Sequence, residues 1–125
     1  MNGREVVEAL VATFNAGNAD GMDDLFHEDA VMEWPQSGER IAGGDNRRAV
    51  YHSFPQLPTF APRRIIGEGD LWVLEATLDY GGGVVYQTVF ILEIRDGKIA
   101  RETAYWTEPF PAPDWRAEWV EPLDS

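Results

Sequence analysis

Only a few residues in this chain carry a reactive group at a spacing that turns it toward a shared interior. Glu102 is the foremost of them. In a strand, alternate residues face the same way, so Glu102 points with Ala104 and Trp106. If Trp106 faces a core, Glu102 does too. A carboxyl placed among rings loses solvation, its pKa rises, and it can hold or accept a proton near neutral pH. Arg47 falls on one helical face with Val50, Tyr51 and Phe54. Three readings stand open. Arg47 and Glu102 form a structural pair, each satisfying the other's charge. Alternatively Glu102 is an acid/base and Arg47 grips an oxygen of a ligand. In the third, the strand register is shifted and Glu102 points to water. Tyr51 and Tyr86 offer phenols to a ligand carbonyl, or serve as core rings with satisfied hydroxyls. The expected walls are Trp34, Trp72, Phe90 and Trp106, with Phe54 and Thr88 on the same faces. The candidate catalytic set is Glu102, Arg47 and Tyr86. The candidate binding set is Trp34, Tyr51, Phe54, Trp72, Thr88, Phe90 and Trp106.

Other chemistries lack their residues. The chain has no Cys, which excludes disulfides and thiolate metal sites. Its two histidines, His27 and His52, are expected at the surface, so no metal site is read. The acidic group Asp20, Asp23, Asp24, Glu28 and Asp29 matches no calcium loop and reads as a solvated face, and Glu33 is expected to point outward. Gly81-Gly82-Gly83 precedes a strand and not a helix, so it is a turn, not a phosphate cradle. No dinucleotide fingerprint appears, and no cofactor is expected. The formal charge of −12 argues against nucleic acid and against anionic membranes as partners. No apolar run approaches the roughly 20 residues that span a bilayer. Met1 leads into an amphipathic helix and not a signal peptide, so a cytoplasmic location is the expectation.

The elements that must position these groups follow from periodicity. Val7, Leu10, Val11 and Phe14 mark a helix over 4–16, closed by Gly17. Asn18 caps a short second helix, about 19–27. Residues 30–34 read as a strand closed by Pro35, and 35–44 as a loop. A third helix covers about 45–54 and stops before Pro55 and Pro58. Strands follow at 62–68, 71–80, 84–95 and 98–108, with hairpin turns at Gly81–Gly83 and Asp96-Gly97. The 71–80 pattern puts Trp72, Leu74, Ala76, Leu78 and Tyr80 on one face. The tail from Pro109 is rich in Pro and aromatic residues. It is expected to dock on the domain, because Phe110, Trp115 and Trp119 would otherwise stay wet. One domain over 1–125 with an α+β architecture results: helices on one face of a mostly antiparallel sheet.

The stretch Phe14-Asn-Ala-Gly-Asn-Ala-Asp-Gly-Met-Asp-Asp-Leu-Phe-His-Glu-Asp-Ala-Val resembles the opening of SnoaL-like and ketosteroid-isomerase-like members of the NTF2-like superfamily. Gly44-Asp45-Asn46 and Asp96-Gly97-Lys98-Ile99 fit the same pattern, and the likeness covers about residues 4–107. It implies a cone-shaped α+β barrel of about three helices on a curved sheet. It also implies a deep pocket for a small hydrophobic ligand and homodimers through the sheet's outer face. The reaction it suggests is cofactor-free isomerisation, cyclisation or dehydration. A non-catalytic binder, or an interaction module of the same fold, is the alternative. The isomerase groups themselves are missing. Trp34 stands where the general-base Asp belongs, Leu10 where the Tyr donor belongs, and Phe90 at about the place of the protonated Asp. Ketosteroid isomerisation is therefore rejected. The paired pocket histidines of scytalone-dehydratase-like enzymes and the Asp-Arg-Asp relay of limonene-epoxide-hydrolase-like enzymes find no match either.

Overall fold

The computed structural model describes residues 1–123. Helix α1 runs Gly3–Asn15 and α2 Gly44–Ser53. The strands are β1 Phe26–Trp34, β2 Glu39–Ala42, β3 Thr59–Glu68, β4 Leu71–Asp79, β5 Val85–Arg95 and β6 Lys98–Thr107. They form one curved, open sheet in the order β2-β1-β6-β5-β4-β3. Only the β1–β6 pairing is parallel; the other four neighbours are antiparallel. The fold class is α+β.

Local chemistry explains the first helix. Asn2 accepts a hydrogen bond from the Glu5 amide at 2.9 Å, and the Glu5 carboxylate accepts one from the Asn2 amide at 3.0 Å. This reciprocal cap satisfies two amide donors that the first turn leaves open. The helix then buries Val6, Val7, Leu10 and Phe14 against the sheet, mainly over β3. Beneath it lie Leu74, Ala76 and Leu78 of β4, Phe90, Leu92 and Ile94 of β5, and Ile99 and Ala104 of β6. Helix α2 packs against β1 and β2, at the opposite edge of the sheet from β3.

Several expectations need correction. The second helix is a 3₁₀ segment, Asp20–Leu25, and β1 begins directly after it at Phe26. The stretch expected as loop contains β2, which pairs with β1 from Val31↔Ala42 to Trp34↔Glu39. Its four residues carry one buried side chain, Ile41, too little apolar alternation to read as a strand. β3 begins at Thr59, three residues earlier than the Pro-rich sequence suggests. Pro62 is tolerated because β3 is an edge strand. Val84 lies outside β5 and is exposed.

The tail also differs. Phe110, Trp115 and Trp119 are 72%, 72% and 73% exposed, so these rings do not dock on the domain. Three prolines within five residues, 109, 111 and 113, hold the chain extended as it leaves β6. That stiffness carries the rings away from the sheet instead of folding them back.

Trp72 shows how close packing fixes the layers. A Cβ on Gly3 would fall 1.9 Å from Trp72 Nε1, and one on Gly67 would fall 2.5 Å from Trp72 Cδ2. The indole fills the space under the start of α1, and its Nε1 donates to the Gly69 carbonyl at 2.9 Å. Gly3→Ala should therefore destabilise the fold by roughly 1–3 kcal/mol. Alanine's better helix propensity, about 1 kcal/mol, opposes this and loses. Urea unfolding measures the balance; an unchanged or raised midpoint would contradict it.

Candidate active site

A cavity of about 270 Å³ opens between the concave face of the sheet, α1 and α2. Half-buried or partly exposed rings ring its mouth: Trp34, Phe54, Tyr80, Tyr86 and Trp106. Buried Phe14, Tyr51, Phe60, Phe90, Ala104 and Glu102 form its depth, with Pro58 and Leu78 at the sides. The rings brace one another. Trp34 and Trp106 meet edge to face at 5.5 Å, Tyr80 and Tyr86 at 5.8 Å, and Phe14 stacks on Phe60 at 4.5 Å.

Glu102 reaches this space because β6 alternates as expected: Glu102, Ala104 and Trp106 all line it. In register it lies between Met32 of β1 and Leu92 of β5, neither of which carries charge. The side chain is 2% exposed, and its Oε1 has no hydrogen-bond partner among the described residues. Burial pushes its pKa up to about 7, against a smaller opposing pull from the Arg47 charge. The carboxyl is poised between its two protonation states at neutral pH.

Arg47 is buried as well, but it does not pair with Glu102. Its guanidinium donates to Asp23 Oδ1 at 3.0 Å and to the His27 carbonyl at 3.2 Å, and it lies 4.8 Å over the Phe26 ring. It is absent from the cavity lining. No ion pair joins Arg47 to Glu102, and the Arg47 Nε has no hydrogen-bond partner among the described residues. The physical reason is the acidic cluster, which is no mere solvated face. Burial pushes the Asp23 carboxyl up, yet hydrogen bonds from Arg47 and Arg48 hold it below its ordinary value. Glu28 and Asp45 engage Arg48 at 2.9 and 2.6 Å. Charged hydrogen bonds of this kind outcompete a single carboxyl in an apolar cavity.

The remaining expected residues divide. Trp34, Tyr51, Phe54, Tyr86, Phe90 and Trp106 all line the cavity. Trp72 does not. It lies six residues along β4 from Leu78, about 20 Å at the rise of a strand. Alternation gives the face of a residue and not its depth. Thr88 is buried on the inner face but turns its hydroxyl onto the Ala76 carbonyl at 2.8 Å and stays out of the lining. Phe14, Pro58, Phe60, Leu78, Tyr80 and Ala104 also line the cavity, outside the candidate sets. Periodicity puts Phe14, Leu78, Tyr80 and Ala104 on inward faces, whereas Pro58 and Phe60 carry no such signal. Tyr51 donates only to the Met32 thioether, at 3.3 Å. Its burial, together with the negative charge of Glu102, raises its pKa well above the ordinary value, so it remains a phenol. His52 pairs with Asp20 at the surface, His27 touches the Arg95 carbonyl, and Glu33 pairs outward with Arg40 and Arg101.

The model of the SnoaL-like domain matches residues 7–102. The chain belongs to the SnoaL-like domain family. Solved structures agree with that assignment. An NTF2-like protein of unknown function from Burkholderia xenovorans is 42% identical, with 96% of this chain and 94% of that one covered at a TM-score of 0.85. A Kribbella flavida protein provisionally described as a ketosteroid isomerase is 26% identical over 96% and 88% of the two chains, also at 0.85. An LEH-like epoxide hydrolase from Mycobacterium tuberculosis, at 24% identity, 82% and 80% coverage and a TM-score of 0.69, shares the fold. Among curated proteins none matches. In this SnoaL-like chain the cavity receives rings from Trp34 and Phe90, the positions where the isomerase resemblance would put carboxyl groups. Glu102 is the lone carboxyl of the lining.

A buried carboxyl of raised pKa marks the folding energetics. Glu102 ionises near 7 when folded and near 4.5 when unfolded, so the folded state binds more protons between those values. Stability must fall as pH rises through that window, by about 3 kcal/mol in all. Glu102→Gln removes the titration. The variant's stability relative to wild type should therefore climb by about that amount between pH 4.5 and 8. Urea unfolding at both pH values checks this, and a difference that stays constant with pH would contradict it.

Proposed function

We propose that this SnoaL-like protein binds a small hydrophobic molecule in the ring-lined cavity and moves a proton on it without a cofactor. The observation that carries the reading is Glu102: buried, unpartnered at Oε1 among the described residues, and part of the lining of the ring-rich cavity. Glu102 takes a proton from one position of the ligand and returns it to another, the economy of an isomerase, cyclase or dehydratase. The Tyr86 and Tyr51 hydroxyls donate hydrogen bonds to a ligand oxygen, because Tyr51 surrenders only a weak thioether acceptor in doing so. The rings of Trp34, Phe54, Phe90 and Trp106 hold the carbon skeleton and exclude water. Exposed Ile66, Leu71 and Tyr105 on the sheet's outer face support a second copy seated there.

The second reading is a binder of the same fold, favoured by the absence of any second acid/base carboxyl from the lining. One experiment separates the two. Cyclic ketones, epoxides and polyketide-like substrates are incubated with the protein and their products followed by mass spectrometry. Wild type should turn over a member of the set with a kcat/KM that inflects near pH 7. Glu102→Gln should lose roughly 10²- to 10⁴-fold in kcat while still binding. Turnover that survives in Glu102→Gln rules out the assigned role.

A further inference from the structure

The cavity has a chemical bias that shape alone does not express. Nine of its lining residues are aromatic, and its lone ionisable carboxyl is Glu102. Among the described residues that line it there is no Lys, Arg or His. The nearest buried cation, Arg47, is held by Asp23 and the His27 carbonyl. Ring faces carry negative electrostatic potential, so they attract a cation and repel an anion. At the mouth two ring pairs stand at right angles, Trp34 with Trp106 at 84° and Tyr80 with Tyr86 at 88°, like adjoining walls of a box. The chain's −12 charge draws cations toward any opening.

We infer that the ligand is a small hydrophobic cation, an alkyl- or aryl-substituted ammonium, caged by these rings with Glu102 as its counter-ion. The orphaned Oε1 of Glu102 gains the charge partner that the fold withholds from it. The substituents of the ammonium take the apolar walls, and its charge faces Glu102 and the rings. An anionic ligand of the same shape would find no guanidinium or ammonium group to meet it. This inference rests on the cavity as the ligand site, and is independent of turnover.

The test uses an isosteric pair, phenyltrimethylammonium and tert-butylbenzene, titrated into the full chain by calorimetry with tryptophan fluorescence alongside. The charge of the first is permanent, so pH acts only on the protein. The groups facing Glu102 are Arg47 and Tyr51 from α2, with apolar Met32 and Leu92 beside it, and burial keeps the Tyr51 phenol neutral throughout this range. The ammonium should bind at least about tenfold more tightly than the hydrocarbon at pH 8. Its affinity should rise up to about tenfold from pH 6 to 8 as Glu102 ionises, with release of a proton. The hydrocarbon's affinity should not rise. Glu102→Gln should abolish the ammonium's advantage and its pH dependence. Equal or tighter binding of tert-butylbenzene overturns the cation inference and leaves the cavity reading standing. Binding of neither probe at millimolar concentration overturns both. Because the pH comparison is made on wild type, the inference stays decidable even if the variant fails to fold.

Discussion

The interaction on which this site depends lies outside it: the grip of Asp23 on Arg47. A guanidinium buried on the inner face of α2 must find a partner, since an unpaired buried charge costs several kcal/mol. Two acceptors are near the base of α2, the Asp23 carboxylate and the His27 carbonyl, and both are used. Arg48 binds the other side of Asp23 and ties Glu28 and Asp45 into the same network. With its charge engaged there, Arg47 acts on Glu102 only through a modest field. Glu102 is left as a solitary acid among rings, and its protonation state sets the charge of the cavity.

The same network links the sequence to the cavity along a traceable route. The acidic 3₁₀ segment anchors α2 to β1, α2 presents Tyr51 and Phe54 to the cavity, and β6 presents Glu102 and Trp106. This chain gains no stability from the arrangement at high pH. Desolvating a carboxylate opposes folding, and the large apolar core under α1 offsets it. Such a concession in stability is what a site for acid/base or charge-recognition chemistry requires.

Much of the fold is legible in the residues. α1, α2, β4, β5 and β6 announce themselves through apolar periodicity and through turns at Gly17, Asp96 and Gly97. The inward face of β6, and with it Glu102, follows from alternation alone. What periodicity cannot encode is depth along a strand and choice of partner. Trp72 shares a face with Leu78 yet belongs to another part of the core. Arg47 shares a face with Tyr51 yet turns to Asp23, because the winner of a competition between two carboxyls depends on geometry across 24 residues of chain. Four-residue β2 carries too little pattern to be seen, and the tail's rings suggest docking that the prolines prevent.

The central claim is that Glu102 is a desolvated acid with no cationic partner. Carbon-detected NMR of the side-chain carboxyl carbons, with Glu102→Gln to assign the resonance, follows its ionisation directly. The account predicts a midpoint near pH 7 in the free protein. A midpoint at or below the ordinary value near 4.5 would mean that the carboxyl is hydrated or paired, and would contradict it.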